Sequence, residues 1–177
     1  VLADSDPTGP PAGGEGCVDL RPTFEKWGLP PRVQGKRNTC SVFTVAGALE
    51  YATASKVGRT PRFSVEFLNW ASNQAAGDAH DGSFFSDLWR GFTIHGVCPE
   101  QDMPYQDTFD PNVTPGEVAR DHARQMLDAG LQLHWIKRWN PRTGLTDAQL
   151  DAIKRVLDRR WPVCGGFRWP RKVRWKD

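Results

Sequence analysis

Apolar positions along this chain fall into helical spacing three times in its first hundred residues. After Asn38 or Thr39, either of which can cap a helix, Val42, Val45, Ala46, Leu49 and Ala52 lie on one face and predict a buried central helix. Ser64 is placed to cap a second helix, with Val65, Leu68 and Ala71 or Ser72 on its inner side. Gly82-Ser83 begins a third, with Ser83 as its cap, that carries Phe85, Leu88, Trp89 and Phe92 and stops at Gly96.

Beyond Tyr105 the pattern changes. Thr114-Pro115-Gly116-Glu117 combines a capping-box sequence with Pro at the first helical position, and Gly130 ends the helix it opens. Leu131, Leu133 and Trp135 then alternate with Gln132, His134 and Ile136, the period of a strand. A second capping box, Thr146-Asp147-Ala148-Gln149, opens a helix bearing Leu150, Ile153 and Leu157, and Pro162–Phe167 reads as another strand. Residues 1–16 are rich in Pro, Gly and Asp and almost without large apolar side chains, so they bury too little surface to order themselves. No internal repeat is present.

One short stretch carries chemistry. In Val33-Gln34-Gly35-Lys36-Arg37-Asn38-Thr39-Cys40-Ser41, a Gln stands six residues before a Cys that opens the central helix. A thiol there lies beside unpaired backbone N–H groups and the positive end of the helix dipole, which favour thiolate and make the cysteine reactive. Taken alone, Cys40 reads as a small buried hydrophobe and Gln34 as an ordinary loop amide. The spacing between them, with Gly35 beside Gln34, is what lifts both.

This stretch resembles the papain-like cysteine peptidases, and the resemblance runs on from Val18 in family order. Val18-Asp19-Leu20-Arg21 is similar to the mature N-terminal segment, Gly47-Ala48-Leu49-Glu50 to the body of the central helix, and Phe63-Ser64-Val65-Glu66-Phe67-Leu68 to the start of the second. Asp81-Gly82-Ser83 resembles the Asn-Gly-Gly turn that lines the substrate cleft, and Met103-Pro104-Tyr105 resembles a Tyr-Pro-Tyr signature. With residues 1–17 read from their composition as a flexible leader, the resemblance implies an α+β, two-lobed fold with a complete helical lobe over 18–105 and an incomplete β-rich lobe over 106–177. It implies cysteine-type hydrolysis of a peptide or protein substrate, with Cys40 as nucleophile, Gln34 and the Cys40 backbone N–H as the oxyanion hole, and Asp81, Gly82 and Ser83 along the substrate channel. It implies no cofactor.

Two departures accompany the matches. The family signature Cys-Gly-Ser/Ala-Cys-Trp/Tyr is replaced by Arg37-Asn38-Thr39-Cys40-Ser41, which removes the first Cys and its disulfide, and His80 stands where the partner is expected. Ser41 in place of an aromatic removes a bulky wall from the site. The family also needs a His about 130 to 150 residues after the Cys, a window at about residues 170 to 190 here, and positions 170–177 hold none. His80, His95, His122 and His134 all come earlier. The chain as given is therefore expected to lack its base, and the competing reading is a non-catalytic papain-fold protein that binds peptides or regulates a partner.

Composition adds bounds. A chain of 177 residues buries a full core as one large domain or two small ones, and 38% hydrophobic content with eight Trp and nine Phe fits a folded protein. A net charge of +2 makes no case for a nucleic-acid partner. The basic tail Arg168, Arg171, Lys172, Arg174 and Lys176, interleaved with Trp169 and Trp175, is read as a lobe strand and loop rather than a nucleic-acid or membrane patch. No apolar run approaches the roughly 20 residues of a helical membrane span. The first residue is Val and no signal sequence precedes it, so a processed or clipped product is expected. The compartment is not readable, although the resemblance favours a secreted or periplasmic one, and the oligomeric state is open. Cys17, Cys40, Cys98 and Cys164 include no Cys-x-x-Cys pair and no nearby His at zinc spacing, so no metal site is expected. With Cys40 free, one disulfide among the other three is allowed, Cys17 with Cys98 being one choice.

Overall fold

The computed structural model describes residues 2–3, 18–140 and 142–167. In chain order its elements are β1 (Leu2–Ala3), α1 (Arg21–Lys26), α2 (Cys40–Val57), α3 (Val65–Ala76), α4 (Phe85–His95), a 3-10 turn at Glu100–Asp102, α5 (Glu117–Gln125), a second 3-10 turn at Leu127–Ala129, β2 (Gln132–Leu133) and α6 (Asp147–Asp158).

The three early helices form where the apolar spacing puts them. The expected stripe of α2 is buried throughout, but so are Ala48, Glu50, Tyr51 and Ala54, so α2 is covered on more than the one face its pattern marks. Its neighbours explain the extra burial. Phe63, Val65 and Leu68 close one side, Leu88, Phe92 and Val97 another, and Phe24, Trp27 and Trp161 surround the Tyr51 ring.

Helix α3 is capped as expected, the Ser64 hydroxyl accepting from the Phe67 N–H at 2.9 Å. Helices α3 and α4 pack closely because Gly91 has no side chain: a Cβ there would lie 2.6 Å from the Ala71 carbonyl carbon. A second, smaller cluster of Phe67, Ala71, Cys98, Met103, Ala119 and Ala123 seats α5.

Several expectations are corrected. Phe84, not Ser83, occupies the N-cap position of α4, and the Ser83 hydroxyl bonds Ser72 instead. Helix α5 starts at Glu117 after an extended Gly116, so Thr114 caps nothing; the helix starts where Ala119 and Ala123 meet the second cluster. It ends at Gln125, and Gly130, with φ +64, closes the 3-10 turn that follows. The Thr146–Gln149 capping box forms with both of its bonds, but its helix buries Val156 rather than Leu150, which is exposed.

The β content is far smaller than the alternation suggests. The strand expected over 131–136 is reduced to Gln132–Leu133, which pairs antiparallel with Leu2–Ala3 from the segment expected to be a flexible leader. The remainder of that leader, residue 1 and residues 4–17, lies outside the described residues, as does the basic tail from 168. Residues 162–167 are not a strand, and β1–β2 is the one sheet among the described residues. Cys98 is a buried free thiol rather than half of a disulfide, and Cys17 lies outside the described residues. No helix among the described residues is long and apolar enough to cross a membrane.

Candidate functional site

Cys40 is the first residue of α2 and is exposed. The helix behind it buries nine of its 18 residues, so an accessible thiol sits on a packed support. Thr39 occupies the N-cap position but makes no cap bond, because its hydroxyl is held by the Tyr105 hydroxyl at 2.6 Å. The first intrahelical bond is Phe43 N–H to Thr39 C=O, 3.0 Å. The end of α2 beside Cys40 is thus not filled by a capping side chain, which leaves it suited to negative charge.

Gln34 is half-buried, and its side-chain amide donates to the Arg37 carbonyl. A primary amide has two N–H donors, so one remains beyond this bond. The Gln34 carbonyl accepts from the Tyr105 hydroxyl at 3.0 Å. Tyr105 therefore links both ends of the loop from Gln34 to Thr39.

Asp81, Gly82 and Ser83 are brought against this loop. Asp81 accepts from Arg37 Nε at 2.9 Å and from the Asn38 backbone N–H at 3.0 Å. Gly82 has φ +95, donates its N–H to Asn69 Oδ1 at 2.9 Å, and is so close to the loop that a Cβ would fall 2.1 Å from the Asn38 carbonyl oxygen. The Ser83 carbonyl accepts from the Ser41 hydroxyl at 2.6 Å. Ser41 thus ties α2 to the 81–83 segment from the residue next to Cys40, a role that its replacement of an aromatic did not suggest.

The residue that sequence reasoning missed is Arg37, which is buried in the loop itself. Its Nη1 donates to the buried Glu66 carboxylate and to the Gln106 carbonyl (2.9 Å), and its guanidinium lies over the rings of Tyr105 (4.7 Å) and Phe109 (5.6 Å). Burial alone would lower the pKa of this group, but hydrogen bonds and attraction from Glu66 and Asp81 outweigh it and hold it above its ordinary value. A basic residue three positions before the candidate nucleophile was the available signal. Nothing local marks it for burial.

The other thiols and histidines are differently placed. Burial pushes the Cys98 thiol up to about 12, with the nearby Asp102 charge adding to the effect. Burial also raises Cys164, whose Sγ is 3.7 Å from the Thr44 carbonyl. His80 is exposed and pairs with Asp78, His122 pairs with Asp102 at 2.7 Å, and His95 packs on Trp70. A cavity of about 310 Å³ lies between α3 and residues 109–113; its lining includes Glu66, Trp70 and Phe109 but neither Cys40 nor Gln34. Among the described residues no group of His, Cys, Asp or Glu has metal-binding geometry.

No family model and no curated protein matches the chain. Among solved structures, xylellain, a cysteine protease from Xylella fastidiosa, is similar over 62% of this chain at 23% identity and a TM-score of 0.49. The match takes in 44% of xylellain, so this chain spans less than half the length of that protein.

Proposed function

We propose that this chain carries the nucleophile half of a cysteine-type peptidase site. Cys40 attacks the peptide carbonyl carbon through Sγ, and the oxyanion that forms accepts hydrogen bonds from the Cys40 backbone N–H and the second amide N–H of Gln34. Collapse of the tetrahedral intermediate breaks the C–N bond, leaves a thioester on Cys40 and requires a proton for the departing amine. Asp81, Gly82 and Ser83 run along the substrate channel. In this reading they serve by the position of their backbone, since the side chains of Asp81 and Ser83 are occupied by Arg37, Asn38 and Ser72.

The observation that carries the reading is an exposed thiol at the uncapped end of a helix that packs into the core. His80 and His122 pair with Asp78 and Asp102, and His95 packs on Trp70.

A peptide aldehyde tests the proposal, because its hemithioacetal needs a nucleophilic sulfur and an oxyanion donor but no leaving-group proton. The chain is expected to capture the aldehyde, Cys40→Ala to abolish capture, and Gln34→Ala to weaken it by roughly 10²-fold, the scale of one oxyanion donor. Equal capture by the native chain and Cys40→Ala would remove Cys40 from the reaction and leave the non-catalytic reading.

A further inference from the structure

We propose that Arg37 is the positioning residue of this site, holding the Gln34–Cys40 segment in the single conformation that presents Cys40. The inference deepens the peptidase reading and rests on it for what the presented thiol does.

Taking a guanidinium out of water is expensive, and a buried ion pair repays the desolvation only with excellent geometry and complete hydrogen bonding. Here the geometry is good but incomplete, because Arg37 Nη2 is buried without a hydrogen-bond partner. Apolar side chains in place of Arg37, Glu66 and Asp81 together would avoid that cost. Arg37 is thus better explained by what it fixes than by net stability.

What it fixes is the backbone leading to Cys40. Asp81 takes Arg37 Nε on one oxygen and the Asn38 N–H on the other, so one carboxylate joins the guanidinium to the loop two residues before the thiol. Glu66 takes Arg37 Nη1 and the Gln106 N–H (3.1 Å), and the Gln106 carbonyl also accepts from Nη1, which ties the loop to α3 and to the chain after Tyr105. The Arg37 carbonyl receives the Gln34 amide, so the placement of Arg37 also sets the orientation of the candidate oxyanion donor. Three segments distant in sequence therefore converge on one side chain. The planar fork of arginine reaches them together, which a lysine ammonium does not.

The test compares the native chain with Arg37→Met and Arg37→Lys by three measurements. Amide hydrogen exchange at Asn38 is expected to speed up at least about tenfold in both variants, the scale of a lost charge-assisted hydrogen bond network, while the interior of α2 keeps its protection. Capture of a peptide aldehyde is expected to weaken by about tenfold or more, because it depends on the orientation of Gln34. Alkylation of Cys40 by iodoacetamide, which needs only an accessible thiol, is expected to stay within about twofold. Unchanged exchange at Asn38 overturns the proposal. So does faster exchange throughout α2 with alkylation of Cys98, which would make Arg37 a residue that holds the fold. A native chain that captures no aldehyde through Cys40 overturns the peptidase reading instead, and the exchange measurement still decides the role of Arg37.

Discussion

At the scale of single residues, burial sorts the three described thiols by access and charge. Cys40 is exposed, whereas burial pushes Cys98 up to about 12 and raises Cys164. Iodoacetamide at neutral pH is therefore expected to modify Cys40 first in folded protein, with mass spectrometry locating the adduct; earlier labelling of Cys98 or Cys164 would contradict the site. His95 gives a second expectation. It packs on Trp70, and burial holds its imidazole below the ordinary 6.5. A histidine depressed in the folded state binds its proton more readily when unfolded, so its stability contribution is present above 6.5 and lost as pH falls through 6.5 toward the folded value. Thermal melts should fall between about pH 7 and 5, and His95→Phe should flatten that slope relative to the native chain. Identical slopes would exclude His95 as its source.

Among elements, the contact between α3 and α4 is set by Gly91. Because a Cβ there would meet the Ala71 carbonyl carbon and the Ser72 nitrogen at 2.6 Å, backbone rather than a movable side chain must give way. Gly91→Ala is expected to cost about 1–3 kcal/mol in urea unfolding despite the better helix propensity of alanine, and a stabilised variant would mean that the two helices separate easily. The same interface places Ser72 under Ser83, so Gly91→Ala should also disturb the segment to which Ser41 is bonded. Much of this level was legible in sequence: α2, α3 and the α6 capping box follow from apolar spacing and cap chemistry. The strand over 131–136 was not, because alternation of side chains marks a surface that can pair but does not supply a partner. Among the described residues Leu2–Ala3 provides one, for two residues.

For the whole molecule, hydrolysis needs both a nucleophile and a base. His80 and His122 are paired with aspartates and His95 rests on Trp70, while positions 170–177 hold no histidine. The 177-residue chain is expected to capture an aldehyde through Cys40 without turning over peptides, because turnover also needs a proton delivered to the leaving amine. Turnover that Cys40→Ala abolishes would instead point to one of the four histidines present as the base.

The sequence by itself determined the local terms of this protein: which residues form α2, where Cys40 falls on it, that Ser64 and Thr146 cap helices, and that Gln34 stands six residues ahead of the thiol. Each depends on neighbours within a turn or two, where spacing and side-chain chemistry suffice. The tertiary structure decided how that end of the helix is built. Ser41 reaches Ser83, Thr39 gives its hydroxyl to Tyr105 rather than to its own helix, and Arg37 is buried between Glu66, Asp81 and Gln106. A charged loop residue has no local reason to be buried. It becomes so only when carboxylates from two other segments arrive to neutralise it, and no spacing along the chain encodes that meeting.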